Sequence, residues 1–284
     1  MRTRVQRARL RTRASRPMSE SPRAFLRWAG SKRYLLPHLV RVLPAEFNHY
    51  YEPFLGSGSL FFLLEPGRAT LSDACPELVS CFEAVRDHPE DVIEWFGGKK
   101  PDKEYFYHLR ANRSADPVTA AAEFIYLNKT CWNGLYRVNS SGVFNVPYGR
   151  PKTDNLVDVE LLRSCSHSLR MTDLLAGDFE SAVEHAAEGD LVFLDPPYVT
   201  RHNNNGFVDY NQRLFSWEDQ IRLANCARGI SLRGAQVIVA NALHEELTAL
   251  YDGFRVRKIA RVSTIASSKE YRGPVEEALY VSVH

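Results

Sequence analysis

The chain has 284 residues, 44% hydrophobic and 25% charged, with a formal net charge of +2. That length suits one catalytic domain carrying an insert, or two small domains, and the composition is that of a globular protein with no apolar run near the ~20 residues that span a bilayer. The five cysteines (Cys75, Cys81, Cys131, Cys165 and Cys226) form no C-x-x-C pair and are odd in number, which argues against a zinc site or disulfide framework and makes a reducing cytosol the default.

Seven arginines fall in the first sixteen residues: Arg2, Arg4, Arg7, Arg9, Arg11, Arg13 and Arg16. Removing those seven from 36 basic side chains leaves 29 against 34 acidic ones, a body of −5. A nucleic-acid-binding body of that charge must work through local basic patches. The tail reads as a disordered arm able to add phosphate contacts. It also has the composition of a transit peptide, and Met18 is an alternative start. Residues 1–22 are therefore expected to be disordered and of minor consequence.

A compact unit begins near Phe25. Residues 34–43 have helical apolar spacing, with Pro37 at or just after the helix start. HYYEPF, 49–54, reads as a short strand, LGSGS as a turn, SLFFLL, 59–64, as a helix start, and ATLSD, 69–73, as a second strand ending in an acid. This strand–turn–helix–strand unit is that of a nucleotide-binding α/β fold. From Cys75 to Leu127 the pattern is mostly helical. A Gly/Asn-rich aromatic segment, 128–150, follows, in which YRVN and VFNV flank Ser140-Ser141-Gly142 as a hairpin. Strands are then expected at 174–178, 190–195, 235–241, 254–259 and 277–283. The continuous apolar runs LVFL and VIVA predict a central sheet covered on both faces. No internal repeat is present.

The strongest chemical signal is Asp195-Pro196-Pro197-Tyr198 directly after LVFL. Two prolines remove backbone donors and hold the chain extended at a strand's carboxyl end, where open α/β sheets bind ligands. An amino group conjugated to a purine ring is a poor nucleophile. Two acceptors, the Asp195 carboxylate and the Pro196 carbonyl, can take both of its N–H bonds and favour a pyramidal nitrogen, with Tyr198 stacked on the base. Catalysis is then positioning in line with a sulfonium methyl plus electrostatic complementarity. The plain alternative is a rigid turn with an exposed acid.

Glu52-Pro53-Phe54-Leu55-Gly56-Ser57-Gly58 is the second signal. Gly56 and Gly58 let the backbone approach a ligand closely, and Asp73, at the end of the next strand, is placed to accept both ribose hydroxyls of a nucleoside cofactor. A helix cap before Pro76 is an equally good local reading of Asp73. Asp178 and Phe179 are candidates for the cofactor's adenine, although locally a cap is the simpler role for Asp178. Arg27-Trp28-Ala29-Gly30-Ser31-Lys32 suggests a loop around a ligand, with Lys32 reaching a carboxylate; the Walker spacing is absent. Residues 124–153 hold Lys129, Arg137, Arg150 and Lys152, no acid, and interleaved Trp132, Tyr136, Phe144 and Tyr148, which suits duplex DNA. An ordinary surface hairpin explains that segment too. A second basic stretch, Arg255 to Arg272, can hold phosphates or be a solvated strand pair.

Taken in order, FLRWAGSK, EPFLGSG, LSD, NKTCWNGLYRVNSSGVFNVPYGR and LVFLDPPY resemble the Dam-type, or D12-class, DNA adenine N6-methyltransferases over about residues 23–284. The resemblance implies a Rossmann-like S-adenosylmethionine-dependent methyltransferase sheet, an α/β fold, formed by 23–74 and 161–284. A helical and β-hairpin target-recognition domain is implied at 75–160. It implies S-adenosylmethionine held by Trp28, Gly30, Lys32, Glu52, Phe54, Gly56, Gly58, Asp73, Asp178, Phe179 and Asp195, and catalysis by Asp195, Pro196, Pro197 and Tyr198 on a flipped adenine. Arg27, Lys129, Trp132, Asn133, Leu135, Arg137, Asn139 and Pro147 are the implied DNA contacts, with Arg137 and Asn139 on the base-reading hairpin. Arg27 stands where the family often has lysine, and Trp132 where tyrosine is common. GATC is the favoured target. The implied setting is the bacterial cytoplasm and nucleoid, acting on double-stranded DNA as a monomer, with neither metal nor membrane and with a cognate restriction endonuclease as a candidate partner. Rival readings are an amino-methyltransferase of cytosine N4, which usually carries S-P-P-Y, or of RNA or protein, which can use N-P-P-Y or D-P-P-Y and against which the recognition insert argues, and a non-catalytic DNA-binding protein on the same scaffold.

Overall fold

A computed structural model describes residues 8–9, 23–28, 33–139, 141–198, 215–262 and 274–283. Gly30, Lys32, most of the arginine-rich tail and the 263–273 part of the second basic stretch lie outside them. The described residues hold a seven-stranded mixed sheet and ten α-helices, the α/β class expected. Two compact units divide the chain: residues 1–9, 42–54 and 179–284, and residues 10–41 and 55–178.

Five strands of this sheet lie in the first unit: β1 (Tyr50–Glu52), β4 (Leu191–Leu194), β5 (Gln236–Ala242), β6 (Arg255–Val262) and β7 (Pro274–Val281), in the order β1-β4-β5-β7-β6. β1, β4 and β5 run parallel, with Tyr50 beside Leu191 and Leu194 beside Val239. β7 enters antiparallel between β5 and β6, with Glu277 opposite both Ala242 and Ile259. All four residues of β4 and the middle five of β5 are buried, as their unbroken apolar runs require. Helix α9 (Trp217–Leu232) covers this sheet. Ser216 and Asp219 form a reciprocal capping box at its start. Gln220, Leu223, Ala224, Ala227 and Ile230 then recur at helical spacing on its buried face. Their core also takes in Tyr51, Phe179, Val192, Leu194, Val237, Val239, Ala278 and Tyr280. Helices α8 (Phe179–Ala182) and α10 (Glu245–Leu250) complete the unit. In the tail, Ala8–Arg9 pairs antiparallel with Glu46–Phe47.

In the second unit β2 (Ala69–Asp73) and β3 (Thr172–Ala176) run parallel in a register from Ala69 beside Thr172 to Asp73 beside Ala176. Around them lie α1 (Leu36–Leu39), α2 (Ser59–Leu64), α3 (Pro76–Asp87), α4 (Pro89–Phe96), α5 (Lys103–Ala111), α6 (Pro117–Thr130) and α7 (Val159–Leu169). α3 packs on α6, α7 and β3. The helical part of the 75–160 segment thus shares a core with the strands, and the compact units cut the chain at other points than 75 and 160.

Element ends depart from the expected ones where partners are remote. α1 is confined to four residues after a 3-10 turn over Arg33–Leu35. β6 runs on to Val262 and β7 starts at Pro274, because each supplies the other's hydrogen bonds. The expected 136–146 hairpin closes with one antiparallel bridge, Val138 to Phe144. The Asn139 side chain accepts from the N–H groups of Ser141 and Val143, and so satisfies the turn locally.

Candidate active site

The Asp195–Tyr198 loop leaves the carboxyl end of β4 in the first unit. Asp195 is half-buried and Pro196 buried. Two groups outside the tetrapeptide fix it. The carbonyl of Pro197 accepts from Nε2 of Gln220 at 3.2 Å. The hydroxyl of Tyr198 donates to Oε2 of Glu277 at 3.2 Å, and Glu277 is 3% exposed. On the neighbouring strand, the hydroxyl of Tyr50 donates to Oε2 of Glu52 at 2.9 Å inside the core. Burial, then the carboxylates of Glu52 and Asp195, push the Tyr50 phenol well above its usual range. Carboxylates thus concentrate at the ends of parallel strands, where positive charge on a ligand is favoured and neutral amines find acceptors. Phe54 and Phe179, both expected at the cofactor, do meet: their rings stack at 5.6 Å, with Phe215 edge-on to Phe54. Phe179 is 5% exposed, and the Arg222 guanidinium lies 5.0 Å over its ring.

In the second unit the chain turns at Gly56 and Gly58, both with positive φ (49° and 65°). Glycine is needed at 56 for a second reason: a Cβ there would lie 2.8 Å from Cδ1 of Trp28. The Gly56 N–H donates to Oδ2 of Asp73 at 3.0 Å, and the Cys75 N–H to Oδ1 at 3.0 Å. The turn and the strand-end acid, predicted separately, are therefore one hydrogen-bonded structure. Asp73 also serves the entry to α3, whose N-cap residue is Cys75. The cap position expected at Asp73 thus falls on Cys75, and Asp73 bonds that residue's N–H. Burial raises its carboxyl above the usual range against the pull of these backbone N–H groups. Asp178 follows the end of β3 and is exposed.

Trp28 stacks on Tyr136 at 5.3 Å and on Phe124 at 6.4 Å, and Tyr136 lies 5.8 Å from Phe144. One aromatic stack thus joins the Gly56 turn to the hairpin. The Tyr136 hydroxyl donates to Glu77 at 2.9 Å. Buried Asn128 clamps the backbone of Arg27: its Oδ1 accepts from the Arg27 N–H at 2.9 Å and its Nδ2 donates to the Arg27 carbonyl at 2.6 Å. Beside it Gly134, φ 63°, leaves no room for a Cβ against Arg27. Arg27 itself is exposed.

The other residues expected to contact DNA lie within 129–147. Lys129 is half-buried in the last turn of α6; burial, then repulsion from Arg27, pushes its pKa down to about 8. Trp132 is 52% exposed in a 3-10 turn, and its N–H donates to the Pro147 carbonyl at 2.9 Å. Asn133 has a left-handed backbone, φ 54°, and is exposed, as are Asn139 and Pro147; Leu135 is half-buried. Arg137 is exposed, with its Nε bonded to Oδ1 of Asn145 at 2.8 Å. Sequence reading missed Asn128, Gln220, Asn241 and Glu277. Gln220 alone had a visible signal: an amide at the head of the apolar stripe of α9.

Among the described residues no group of three or more His, Cys, Asp or Glu is placed to hold a metal ion, and no helix is long and apolar enough to cross a membrane. A family model for D12 class N6 adenine-specific DNA methyltransferases matches residues 28–265. The chain is 38% identical to the type II methyltransferase M1.LlaDCHI of Lactococcus lactis subsp. cremoris, covering 90% of this chain and 94% of that one. It is 35% identical to the type II methyltransferase M.MjaIII of Methanocaldococcus jannaschii, over 83% and 90%. To the DNA adenine methylase of Escherichia coli it is 31% identical, over 90% and 94%. The chain belongs to the D12 class of N6 adenine-specific DNA methyltransferases. It is an adenine-specific DNA methyltransferase, and DNA is its substrate.

Proposed function

We propose that this enzyme transfers the methyl group of S-adenosylmethionine to N6 of an adenine swung out of a short duplex site, with GATC as that site. The observation that carries the reading is the anchored Asp195–Tyr198 loop at the end of a fully buried strand. Asp195 and the Pro196 carbonyl accept the two N–H bonds of the target amine, Pro197 fixes the loop, and Tyr198 supports the base. An unreactive ring nitrogen is thereby oriented without a covalent intermediate. Extrusion costs unstacking energy, so a mismatched target base binds more tightly.

The donor set fits the cofactor. Each Asp73 oxygen is engaged by a backbone N–H and has a second lone pair for a ribose hydroxyl. Gly56 and Gly58 give the side-chain-free turn that an aminoacyl chain can approach. Trp28, Gly30, Lys32, Glu52, Phe54, Asp178, Phe179 and Asp195 complete the proposed set. When bound, S-adenosylmethionine supplies an electrophilic sulfonium methyl. Arg27, Lys129, Trp132, Asn133, Leu135, Arg137, Asn139 and Pro147 are the proposed DNA contacts, within a recognition domain at 75–160. The enzyme acts as a cytoplasmic monomer. The names of the Lactococcus and Methanocaldococcus relatives as type II methyltransferases support a cognate restriction endonuclease as partner.

Incubating the protein with labelled S-adenosylmethionine and duplexes carrying GATC or its permutations tests the reading. N6-methyladenine confined to GATC duplexes is expected. Label in cytosine, or equal label in every permutation, contradicts it.

A further inference from the structure

The Pro196-Pro197 step has no backbone N–H donors, so this loop is anchored through carbonyls and side chains. The anchor of the Pro197 carbonyl reaches back through the core. Gln220, 0% exposed on α9, donates from Nε2 to that carbonyl at 3.2 Å. Its Oε1 accepts from Nδ2 of Asn241, 0% exposed on β5, at 3.0 Å. Oδ1 of Asn241 accepts from the N–H of Ala242 at 2.9 Å. The inner end fixes the direction of this relay. A backbone N–H only donates, so Asn241 presents oxygen to Ala242 and nitrogen to Gln220, and Gln220 must present nitrogen to Pro197.

The neighbours of the relay, Leu223, Ala224, Val239 and Ala278, belong to an apolar core. A helix-to-sheet contact in such a core needs no amide pair, and burying one is costly unless every group is bonded. With both amide oxygens and both amide nitrogens bonded, the pair holds one geometry. The geometry held here is that of the carbonyl next to Pro196.

We infer that Gln220 and Asn241 are positioning residues for methyl transfer: the relay from Ala242 through Asn241 and Gln220 holds the Pro197 carbonyl and thereby aims the Pro196 carbonyl and Asp195 at the target amine. The inference rests on the reading of Asp195–Tyr198 as the amine-binding loop. Gln220 touches no substrate.

The test uses two near-isosteric variants of the full chain. Gln220→Met removes the donor. Gln220→Glu replaces it with a group that is an acceptor only when ionised and a donor again when protonated. Single-turnover methylation is measured against pH, with DNA binding, cofactor KM and melting temperature recorded for each protein. Gln220→Met is expected to lower the transfer rate by about 10-fold or more while cofactor KM and duplex Kd stay within about two-fold. The Gln220→Glu rate, divided by the parental rate, rises as pH falls; the Gln220→Met ratio stays flat. Asp195, Tyr198, Asp219, Tyr251 and Glu277, the titratable groups of the same loop, helix and core, are common to all three proteins and cancel in that ratio. A parental transfer rate in Gln220→Met, or a pH-independent Gln220→Glu ratio, overturns the inference while the parent still methylates adenine and Asp195→Ala does not. Should Gln220→Met fail to fold, the Gln220→Glu ratio alone decides. If Asp195→Ala keeps its turnover, the loop reading fails first and takes this inference with it.

Discussion

The hydroxyl of Tyr198 donates to the buried carboxylate of Glu277 at 3.2 Å, and this bond fixes the last residue of the proposed amine-binding loop to the antiparallel strand β7. A tyrosine held by its hydroxyl presents its ring in one orientation. The ring and the hydroxyl are therefore separable. Tyr198→Phe keeps a stacking surface and loses a bond to a charged group, worth about 1.5–3 kcal/mol when buried. Tyr198→Ala also forfeits stacking, about 1–3 kcal/mol per base. Stopped-flow emission from 2-aminopurine at the target position is expected to rank extrusion as parent, then Phe, then Ala. Equal extrusion in all three contradicts a stacking role.

Asp73 is held on both oxygens by backbone N–H groups, so Asp73→Asn must turn an amide nitrogen toward one of those donors. Calorimetry is expected to show S-adenosylmethionine binding weakened by about 1.5–3 kcal/mol, roughly 10- to 100-fold. Duplex affinity measured without cofactor stays at the parental value. Gly56→Ala acts through the same turn, since a Cβ there meets Trp28 at a positive φ. Cofactor binding at parental strength in both variants would remove this turn from the proposed site.

Lys129 is depressed to about 8 by burial, from 10.5. The fold disfavours its charged form, so between about pH 8 and 10.5 the unfolded chain binds the extra proton and the stability contribution rises with pH. Below about pH 8 the penalty is constant. Urea unfolding of the parent and Lys129→Met across that window is expected to show the variant's stability advantage shrinking as pH rises. A pH-independent difference means that Lys129 is solvated.

The Arg137 guanidinium is steadied by Asn145. Arg137→Ala is expected to cost about 1–3 kcal/mol of discrimination at one base position, read by competition among permuted duplexes. Asn145→Ala gives a smaller loss at the same position. Uniform weakening on all sequences makes Arg137 a phosphate contact instead.

The sequence made some of this architecture legible because the signals were local. SLFFLL starts α2 and ATLSD forms β2 where expected, since glycine precedes one and an acid ends the other. The extents of β6 and β7 depend on each other's backbone and carry no local mark. In the candidate site, the loop, the glycine turn and Asp73 were readable from type and spacing. The bond from Gly56 to Asp73 was not, because it joins residues seventeen apart through a fold. Asn128, Asn241 and Glu277 were missed for a related reason. A polar residue read alone is taken as solvent-facing until the structure shows what it bonds.

The most direct measurement is single-turnover transfer by Asp195→Ala, made beside equilibrium binding of duplex and of S-adenosylmethionine to the same protein. Transfer below detection with duplex binding retained is expected. Transfer near the parental rate would show that the target amine is oriented by something other than this carboxylate, and would contradict the proposed role of Asp195.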